Sequence, residues 1–383
     1  MRNITVVTGT RAEYGVLKNI MRAIDNEEGL NLQIVVTGMH LSSKYGMTID
    51  NIIDDGFKID EICPILLDYK GKDKNAMEIS IAIKEFVGAF NRLNPHIVLI
   101  LGDRYEAFAA ATTAMAMNIP IAHISGGEVT EGAMDEKIRH SITKMAHIHF
   151  PGADAYGENI RNMGEETWRI FNVGDPGIEN IKSTKLMSKD ELKDELGVSV
   201  DEDTILLTYH PVTLEVDKVE YQINNIIEAL DKINKNMIIT YPNSDNGGDV
   251  IIEGLQKFAL RNSNVHIFKN LGSLRYLSVM NCCGTIVGNS SSALIEAPFL
   301  KKPAVNIGNR QKGRLMASNI ICCGNSCEDI IKAINKSLSN EFREKVKHTK
   351  SLYGEGKTSK EVVNVLKNIE FNDKLLKKKL VWS

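Results

Sequence analysis

Ionisable side chains are concentrated in one short stretch of the chain, around a Gly-Gly turn that follows a run of β-forming residues. The stretch provides two histidines, three carboxylates and one guanidinium, which are His123, Glu128, Asp135, Glu136, Arg139 and His140. Neighbouring charges spread pKa values apart, so such a concentration suits an acid–base site. Asp135 and Arg139 are four residues apart and would share a helix face, where an exposed ion pair worth about 0.3–0.5 kcal/mol is the alternative interpretation.

Two further turns place an arginine after a predicted strand. Gly9-Thr10-Arg11 opens a helix, where free backbone N–H groups beside a guanidinium would suit a phosphate. A plain strand-to-helix turn with a surface arginine is the alternative, and the glycine spacing does not fit a dinucleotide fingerprint. Gly102-Asp103-Arg104 follows five apolar residues. We expect Asp103 and Arg104 to form either a self-contained ion pair or a catalytic pair, and Asp103 also suits the N-cap of the following helix.

The second half of the chain has its own polar turns after predicted strands. They contribute imidazole, amide, hydroxyl, carboxylate and guanidinium groups, from His210, Asn243, Ser290, Ser291, Glu296 and Arg310. Hydroxyls at a helix start can donate to phosphate oxygens alongside the backbone N–H groups, and a carboxylate six residues later could accept hydrogen bonds from a ribose. The combination indicates a diphosphate site, with a serine-rich N-cap that binds no ligand as the alternative.

Neither the cysteines nor the histidines show the spacing of a metal site. Cys322, Cys323 and Cys327 are close in sequence, but the paired spacing of a zinc site is missing. His147-Ile148-His149 alternates as a strand would, and a packed strand is favoured because no third ligand is evident. We therefore expect no metal, and we interpret the six cysteines as reduced thiols in apolar surroundings.

The elements that must position these side chains form two similar series. Strand-like runs that are apolar throughout alternate with helical patterns, which is typical of parallel sheets covered on both faces. A polar connector from Lys182 to Asp203 separates the series. The sequence predicts an α/β fold with two Rossmann-like, doubly wound parallel-sheet domains facing a central cleft, over residues 1–180 and 181–350. A C-terminal helical segment over 351–383 is expected to pack back on the first domain.

Length and composition exclude several classes of protein. The chain has 383 residues and a formal charge of −3, so it lacks the basic excess of a nucleic-acid-binding protein. The uncharged stretch 107–124 is interrupted by Pro120 and predicts a buried helix and strand rather than a membrane span. The first residues have too short an apolar run for a signal peptide, which favours a cytoplasmic location. The lysine-rich run 374–379 is expected to be a solvated helix face.

Together these motifs resemble the UDP-N-acetylglucosamine 2-epimerase family over nearly the whole chain. The resemblance is carried by Gly9-Thr10-Arg11-Ala12-Glu13-Tyr14, Gly38-Met39-His40-Leu41, Gly102-Asp103-Arg104, Gly126-Gly127-Glu128-Val129, Ile138-Arg139-His140-Ser141-Ile142 and Gly308-Asn309-Arg310-Gln311-Lys312-Gly313-Arg314. The hydrolysing branch, of the sialic and legionaminic acid type, is the better match, because the non-hydrolysing branch has a lysine at the position of Val16. Many relatives have a glutamate where this chain has Ser125, so either another of the carboxylates takes that role or the substrate differs.

The resemblance implies a glycosyltransferase-B-like architecture and a role for each motif. UDP would bind mainly to the second domain, with the diphosphate held by Ser290, Ser291 and Arg310 and the ribose by Glu296. His210 and Asn243 would lie nearby. Arg11 and Arg104 would close onto it from the first domain. The acid–base and cation-stabilising groups would be Asp103, Glu128, Asp135, Glu136 and His210, oriented by His40, His123 and Arg139.

The implied activity is that of a hydrolysing UDP-N-acetylglucosamine 2-epimerase, which converts UDP-GlcNAc and water into ManNAc and UDP. UDP would leave first, loss of the C2 proton would then give a glycal, and water would add with the opposite C2 configuration. No cofactor is expected, because no hydride moves, and a homodimer or homotetramer is expected by analogy. The alternatives are the same reaction on UDP-2,4-diacetamido-2,4,6-trideoxyglucose, a glycosyltransferase of the same architecture, and a nucleotide-sugar-binding module without turnover.

Overall fold

The computed structural model describes residues 1–43, 46–68, 71, 73–130, 134–242 and 247–382. Its strands are β1 (Arg2–Thr8), β2 (Leu30–Thr37), β3 (Glu61–Cys63), β4 (Ile97–Leu101), β5 (Ile121–Ile124), β6 (Ile148–Phe150), β7 (Ile205–Thr208), β8 (Met237–Thr240), β9 (Val265–Phe268), β10 (Thr285–Gly288), β11 (Ala304–Ile307) and β12 (Ile320–Cys323). Its α-helices are α1 (Arg11–Asp25), α2 (Ile49–Asp54), α3 (Lys74–Leu93), α4 (Tyr105–Ala116), α5 (Met134–Met145), α6 (Asp154–Asn162), α7 (Pro176–Ser183), α8 (Lys189–Leu196), α9 (Val219–Ile233), α10 (Gly248–Arg261), α11 (Gly272–Cys282), α12 (Ser292–Phe299), α13 (Cys327–Leu338), α14 (Asn340–Lys347), α15 (Thr358–Asn368) and α16 (Asp373–Leu376).

One compact unit consists of Met1–Asn180 and Tyr353–Ser383. Its six strands are parallel and lie in the order β3-β2-β1-β4-β5-β6. Helices α1 and α15 pack on one face and α3, α4 and α5 on the other, so every residue of β4 is buried, as expected for a strand covered on both sides. The strand order reverses between β1 and β4. The turns after these two strands, which hold Arg11 and Asp103, therefore lie where open α/β sheets bind ligands.

The second unit, Ile181–Leu352, repeats this architecture. Its parallel strands lie in the order β12-β11-β10-β7-β8-β9, with α9, α10 and α13 on one face and α8, α11 and α12 on the other. Here the order reverses between β7 and β10, which places the turns holding His210 and Asn289 at the ligand-binding edge. The predicted fold class, an α/β chain with two doubly wound parallel sheets, is confirmed.

The polar connector between the two series contains a helix that composition alone did not predict. Helix α8 begins after Ser188, whose hydroxyl accepts from the Glu191 N–H, while the Glu191 carboxylate accepts from the Ser188 N–H. This reciprocal capping box satisfies two N-terminal donors, and Leu192 buries the apolar side of the helix. The lysines and acids that made the segment resemble a linker lie on its exposed side.

The interpretation of all six cysteines as thiols in apolar cores is only partly correct. Cys63, Cys282 and Cys283 are buried, but the three cysteines from 322 to 327 are exposed or partly exposed. Cys322 and Cys323 belong to β12, an edge strand of its sheet, which explains their exposure.

The expectation of a solvated lysine face near the C-terminus is wrong for Lys378, which is partly buried, whereas the other lysines of the run are exposed. Lys374 lies 4.5 Å from the ring centre of Trp168, and the Lys378 ammonium lies 2.8 Å from the Glu165 carboxylate. The fully buried Arg169 guanidinium donates to the carbonyls of Lys374 and Leu375, both at 2.8 Å. The C-terminal segment is therefore held within the first unit by the ion pair of Lys378 with Glu165 and by the hydrogen bonds from Arg169 to backbone carbonyls.

Stretch 107–124 contains most of α4 and all of β5, as predicted. Within the described ranges, no helix is both long and apolar enough to cross a membrane.

Candidate active site

Asp103 and Arg139 come together at the carboxyl ends of β4 and β5. The Arg139 guanidinium, which is almost fully buried, forms an ion pair with the Asp103 carboxylate. It also donates to the backbone carbonyl of Glu128 and to the hydroxyl of Thr130, each at 3.0 Å. One buried cation thus fixes both the turn after β4 and the loop after β5. The Asp103 side chain keeps 24% of its surface exposed, so an ionised carboxylate of defined orientation remains accessible.

Two expectations for the turn after β4 are therefore corrected. The ion-pair partner of Asp103 is Arg139 rather than Arg104, and Arg104 rather than Asp103 occupies the N-cap position of α4. Arg104 has an extended backbone, and its side chain pairs with Glu106, the second residue of α4. Sequence reasoning paired neighbours along the chain, whereas the fold paired side chains across the sheet edge.

His123 makes a hydrogen bond to the backbone of the turn after β4. Its ring is fully buried in β5, and its Nε2 bonds to the Gly102 carbonyl at 2.8 Å. Burial lowers the pKa of His123 to about 4, so the ring is neutral near pH 7 and its Nε2–H donates to that carbonyl. Gly102 has a φ of +72°, a conformation that favours glycine. His123 therefore supports the backbone of the turn that holds Asp103.

His40 lies in a separate buried position after β2. Its ring nitrogens are 3.0 Å from the Thr8 hydroxyl and 2.8 Å from the Thr48 hydroxyl. Burial lowers the pKa of His40 to about 4, and its ring packs edge-on against Tyr14. The His40 ring thus contacts two hydroxyls. The backbone N–H of His40 donates to the Gly9 carbonyl, which links it to the turn that precedes Arg11.

The remaining predicted carboxylates of this unit have different surroundings. Glu136 accepts from the Thr130 N–H at 3.2 Å and lies 3.5 Å from the His140 ring nitrogen, so it organises the loop after β5. Asp135 is exposed in the first turn of α5, and Glu128 is partly buried. Ser125, the first residue after β5, adopts a φ of +62°, which costs a non-glycine residue about 1–2 kcal/mol.

Arg104 is held by carboxylates that sequence reasoning did not select. Its Nε and Nη2 donate to the two oxygens of Glu106 at 3.2 and 2.9 Å, and Glu106 is 1% exposed. Glu13 lies beside this pair and accepts from the Gly9 N–H at 2.9 Å. Burial, together with the nearby charge of Glu106, raises the pKa of Glu13 to about 7. A Thr-x-x-Glu capping pattern at residues 10–13 was the available signal for Glu13. Arg11, the first residue of α1, is exposed.

In the second unit, Asn289 connects two of the predicted nucleotide-binding residues, His210 and Arg310. Its fully buried amide accepts from the His210 N–H at 2.7 Å and donates to the His210 carbonyl at 2.8 Å. Its own carbonyl accepts from Arg310 at 3.1 Å and from Gln311 at 2.7 Å. The turns after β7, β10 and β11 are thereby joined into one assembly. Sequence analysis did not select Asn289, and it quoted Gln311 within its motif without assigning a role to it.

The serine turn leads into α12. Ser290 and Ser291 are partly exposed just before this helix, and Glu296 is partly buried within it. Nearby, burial raises the pKa of Tyr276 to about 12, with the Glu296 charge adding to the effect. Asn243 lies outside the described residues. The assembly offers hydroxyls, backbone N–H groups and a guanidinium to an anion, while the first unit offers ordered carboxylates.

Among the described residues, no group of three or more histidine, cysteine or carboxylate side chains is arranged to hold a metal ion.

A family model described as UDP-N-acetylglucosamine 2-epimerase matches residues 22–367 of the chain. A GDP/UDP-N,N'-diacetylbacillosamine 2-epimerase (hydrolyzing) of Campylobacter jejuni is 41% identical over 345 residues, which cover 90% of this chain and 89% of the relative. A UDP-N,N'-diacetylbacillosamine 2-epimerase (hydrolyzing) of Legionella pneumophila is 36% identical over 378 residues, with 99% of each chain covered.

A similar fold is found in a crystal structure of a putative UDP-N-acetylglucosamine 2-epimerase from Listeria monocytogenes. The two structures superpose with a TM-score of 0.79, at 20% sequence identity and with 95% of each chain covered. At this level of identity the likeness concerns the fold alone.

Proposed function

Because this chain belongs to the UDP-N-acetylglucosamine 2-epimerase family, we propose that it is a hydrolysing 2-epimerase of UDP-2,4-diacetamido-2,4,6-trideoxyglucose, that is, UDP-N,N'-diacetylbacillosamine. The observation that carries the proposal is the similarity, over nine-tenths of the chain or more, to two relatives named as hydrolysing epimerases of this sugar. The products would be UDP and free 2,4-diacetamido-2,4,6-trideoxymannose.

The chemistry starts with departure of the nucleotide. The bond between C1 and the diphosphate oxygen breaks, UDP takes the electron pair, and the sugar ring becomes oxocarbenium-like. Fixed donors stabilise the leaving charge, each worth about 3–4 kcal/mol when it is preorganised. In this proposal they are Ser290, Ser291 and Arg310 in the second unit, and Arg11 and Arg104 in the first. Asn289 supports them by holding the His210 and Arg310 turns together.

The first unit would then act on the sugar. A carboxylate removes the C2 proton to give a glycal, after which water supplies OH to C1 and a proton is delivered to C2 from the opposite face. Asp103 suits stabilisation of the ring cation, because its contact with the Arg139 guanidinium keeps it ionised and oriented. Glu128, Asp135 and Glu136 are the candidates for proton transfer in this proposal, and Glu136 is positioned by the Thr130 N–H and lies beside His140.

Substrate choice is tested by offering the diacetamido sugar and UDP-GlcNAc separately. We expect kcat/KM to be at least about tenfold higher for the diacetamido sugar, which corresponds to about 1.4 kcal/mol of preferential binding in the transition state. Equal or higher values for UDP-GlcNAc would favour the second candidate, UDP-GlcNAc itself, which is the substrate in the description of the matched family. The GDP-linked form of the diacetamido sugar is the third substrate to compare, because the Campylobacter relative is named for both nucleotides.

The reaction type is tested in heavy water, without an acceptor. Elimination followed by hydration should release UDP and place deuterium at C2 of the free sugar, as read by NMR. An unlabelled C2 would exclude elimination, and a requirement for an acceptor would indicate a glycosyltransferase.

Asp103→Asn separates binding from chemistry. We expect it to lose at least about 100-fold in kcat, because the carboxylate charge and its pairing with Arg139 are both lost. UDP affinity should stay within about threefold, because the proposed UDP contacts of the second unit are unchanged. Asp154→Asn is the matched control, since Asp154 accepts from Asn172 at the start of α6, outside the candidate site. Wild-type kcat in Asp103→Asn would remove Asp103 from the mechanism.

A further inference from the structure

Arg104, Glu106 and Glu13 form a cluster of ionisable groups at the carboxyl ends of β1 and β4. Arg104 makes a two-point contact with Glu106, and 36% of its side chain remains exposed, whereas the Glu106 side chain is almost completely buried. Such a fork-shaped contact fixes both the position and the plane of the guanidinium. Glu106 therefore determines where Arg104 can present its remaining donors.

The surrounding backbone is shaped around these carboxylates. A Cβ added to Gly38, which has a φ of +56°, would lie 2.9 Å from a carboxylate oxygen of Glu106. A Cβ on Gly9 would lie 3.3 Å from both the Glu106 Cγ and a carboxylate oxygen of Glu13. Two glycines thus leave room for two carboxylates beside a single arginine.

The charge of this cluster depends on one proton. With Glu106 ionised and Glu13 protonated, the three side chains sum to zero, whereas ionisation of Glu13 gives them a net charge of −1. The pKa of Glu13 is raised to about 7, so both states are populated near neutral pH. A net negative cluster would oppose the approach of a diphosphate.

We propose that Glu106 and Glu13 are positioning residues for substrate binding: Glu106 orients Arg104 toward the diphosphate, and Glu13 favours binding only while it carries a proton. This inference rests on the proposed function, in which Arg104 contacts the diphosphate of a UDP-sugar. It predicts that substrate binding is accompanied by proton uptake at Glu13.

The other groups near Glu13 do not account for such a pH dependence. The titratable or charged neighbours are Arg11, His40, Arg104, Tyr105 and Glu106. Of these, His40 has its pKa lowered to about 4 by burial, and burial and the charge of Glu106 raise the pKa of Tyr105. Arginine remains charged throughout the physiological range.

The decisive experiment measures KM and kcat of the UDP-sugar between pH 6 and 8.5 for the wild type and Glu13→Gln. For the wild type we expect KM to rise at least about fivefold over this range, since the affinity of a proton-linked site falls by up to tenfold per pH unit above the pKa. Glu13→Gln, which is neutral at every pH, should keep a low and nearly constant KM. A variant that retains the wild-type pH dependence of KM would overturn the proposal.

Glu106→Gln tests the orienting contact. It preserves side-chain shape but removes the charge that holds the guanidinium, so KM should rise at least about tenfold with a smaller change in kcat. Glu78→Gln is the matched control, because Glu78 is equally buried in the same unit but contacts Lys74, the Leu67 N–H and the Tyr105 hydroxyl rather than Arg104. We expect the control to leave KM within about twofold, and an equal rise in KM for both variants would refute the orienting role. If Glu106→Gln does not fold, the comparison of Glu13→Gln with wild type decides alone.

Calorimetric titration with UDP at pH 7 to 8.5 separates this inference from the proposed function. If UDP still binds to Glu13→Gln but its affinity no longer depends on pH, the inference is supported even if no tested sugar is converted. Conversion of the sugar with an unaltered pH dependence in Glu13→Gln refutes the inference alone.

Discussion

Replacement of Asn289 by alanine should disconnect the turns after β7 and β10. The wild-type amide makes two hydrogen bonds, of 2.7 and 2.8 Å, to the backbone N–H and carbonyl of His210, and all of these groups are buried. A buried polar group left without a partner costs about 1–3 kcal/mol. We therefore expect Asn289→Ala to lower the free energy of unfolding of the second unit by about 2–6 kcal/mol.

The measurement has to report on the second unit. Both tryptophans, Trp168 and Trp382, belong to the first unit, so intrinsic tryptophan fluorescence is unsuitable. Hydrogen exchange with mass spectrometry resolves peptides of the second unit, so it gives the stability of that unit and, in the peptide that contains His210, the protection of the His210 amide. We expect that amide to exchange at least about tenfold faster, and UDP to bind more weakly because His210 and Arg310 lose their common support.

Asn319→Ala is the matched control. Asn319 is equally buried in the same unit and donates to the carbonyl of Lys302 at 2.8 Å, so it loses one backbone hydrogen bond instead of two. It should cost about half as much stability and leave both His210 exchange and UDP affinity unchanged. The reasoning is refuted if Asn289→Ala costs no more than the control, or if its His210 amide stays as protected as in the wild type.

Two further predictions concern the first unit. Burial acts to raise the pKa of Glu165, but hydrogen bonds from His149, Lys144 and Lys378 hold it at about 2, well below its ordinary value of 4.5. This difference stabilises the folded state by about 3 kcal/mol above pH 4.5, and the contribution disappears as the pH falls toward 2. The stability gap between wild type and Glu165→Gln in urea titrations should therefore narrow from pH 7 to pH 3, and a constant gap would contradict the assignment. Gly127→Ala should lower Tm by several degrees, because φ is +79° and the new Cβ would lie 2.3 Å from the Tyr156 carbonyl. Gly157→Ala, whose Cβ would lie no closer than 3.5 Å to other residues, is the control and should be neutral or slightly stabilising; equal losses in both variants would disprove this account.

The main features of the fold could be predicted because they depend on local patterns. Strands such as β4 are apolar along their length, which identified parallel sheets covered on both faces. Helix α8 was missed because its stabilisation comes from a capping box and one buried leucine within an otherwise charged segment. The exposure of Cys322 could not be anticipated either, since it depends on β12 being at the sheet edge.

Candidate residues were identified better than their contacts. The position of Asp103 after a buried strand was sufficient to select it, but its pairing with Arg139 depends on how α5 approaches the end of β4. The bidentate contact between Asn289 and His210 joins residues 79 apart, and no spacing rule connects them. The raised pKa of Glu13 results from its burial and from the nearby charge of Glu106, whose side chain has room because Gly9 and Gly38 lack a Cβ. Such effects follow from proximity created by the tertiary structure.

The discontinuity of the first unit has a consequence for synthesis on the ribosome. Helix α15 supplies Val362, Val363 and Leu366 to the same core as α1, although the whole second unit is translated between the two helices. The second unit is contiguous in sequence, so it can fold as soon as it emerges. The N-terminal part of the first unit, made earlier, still exposes the apolar residues of α1 that α15 later covers. Nascent chains halted before α15 should therefore recruit chaperones at their N-terminal part, and the order of maturation would be the reverse of the order of translation.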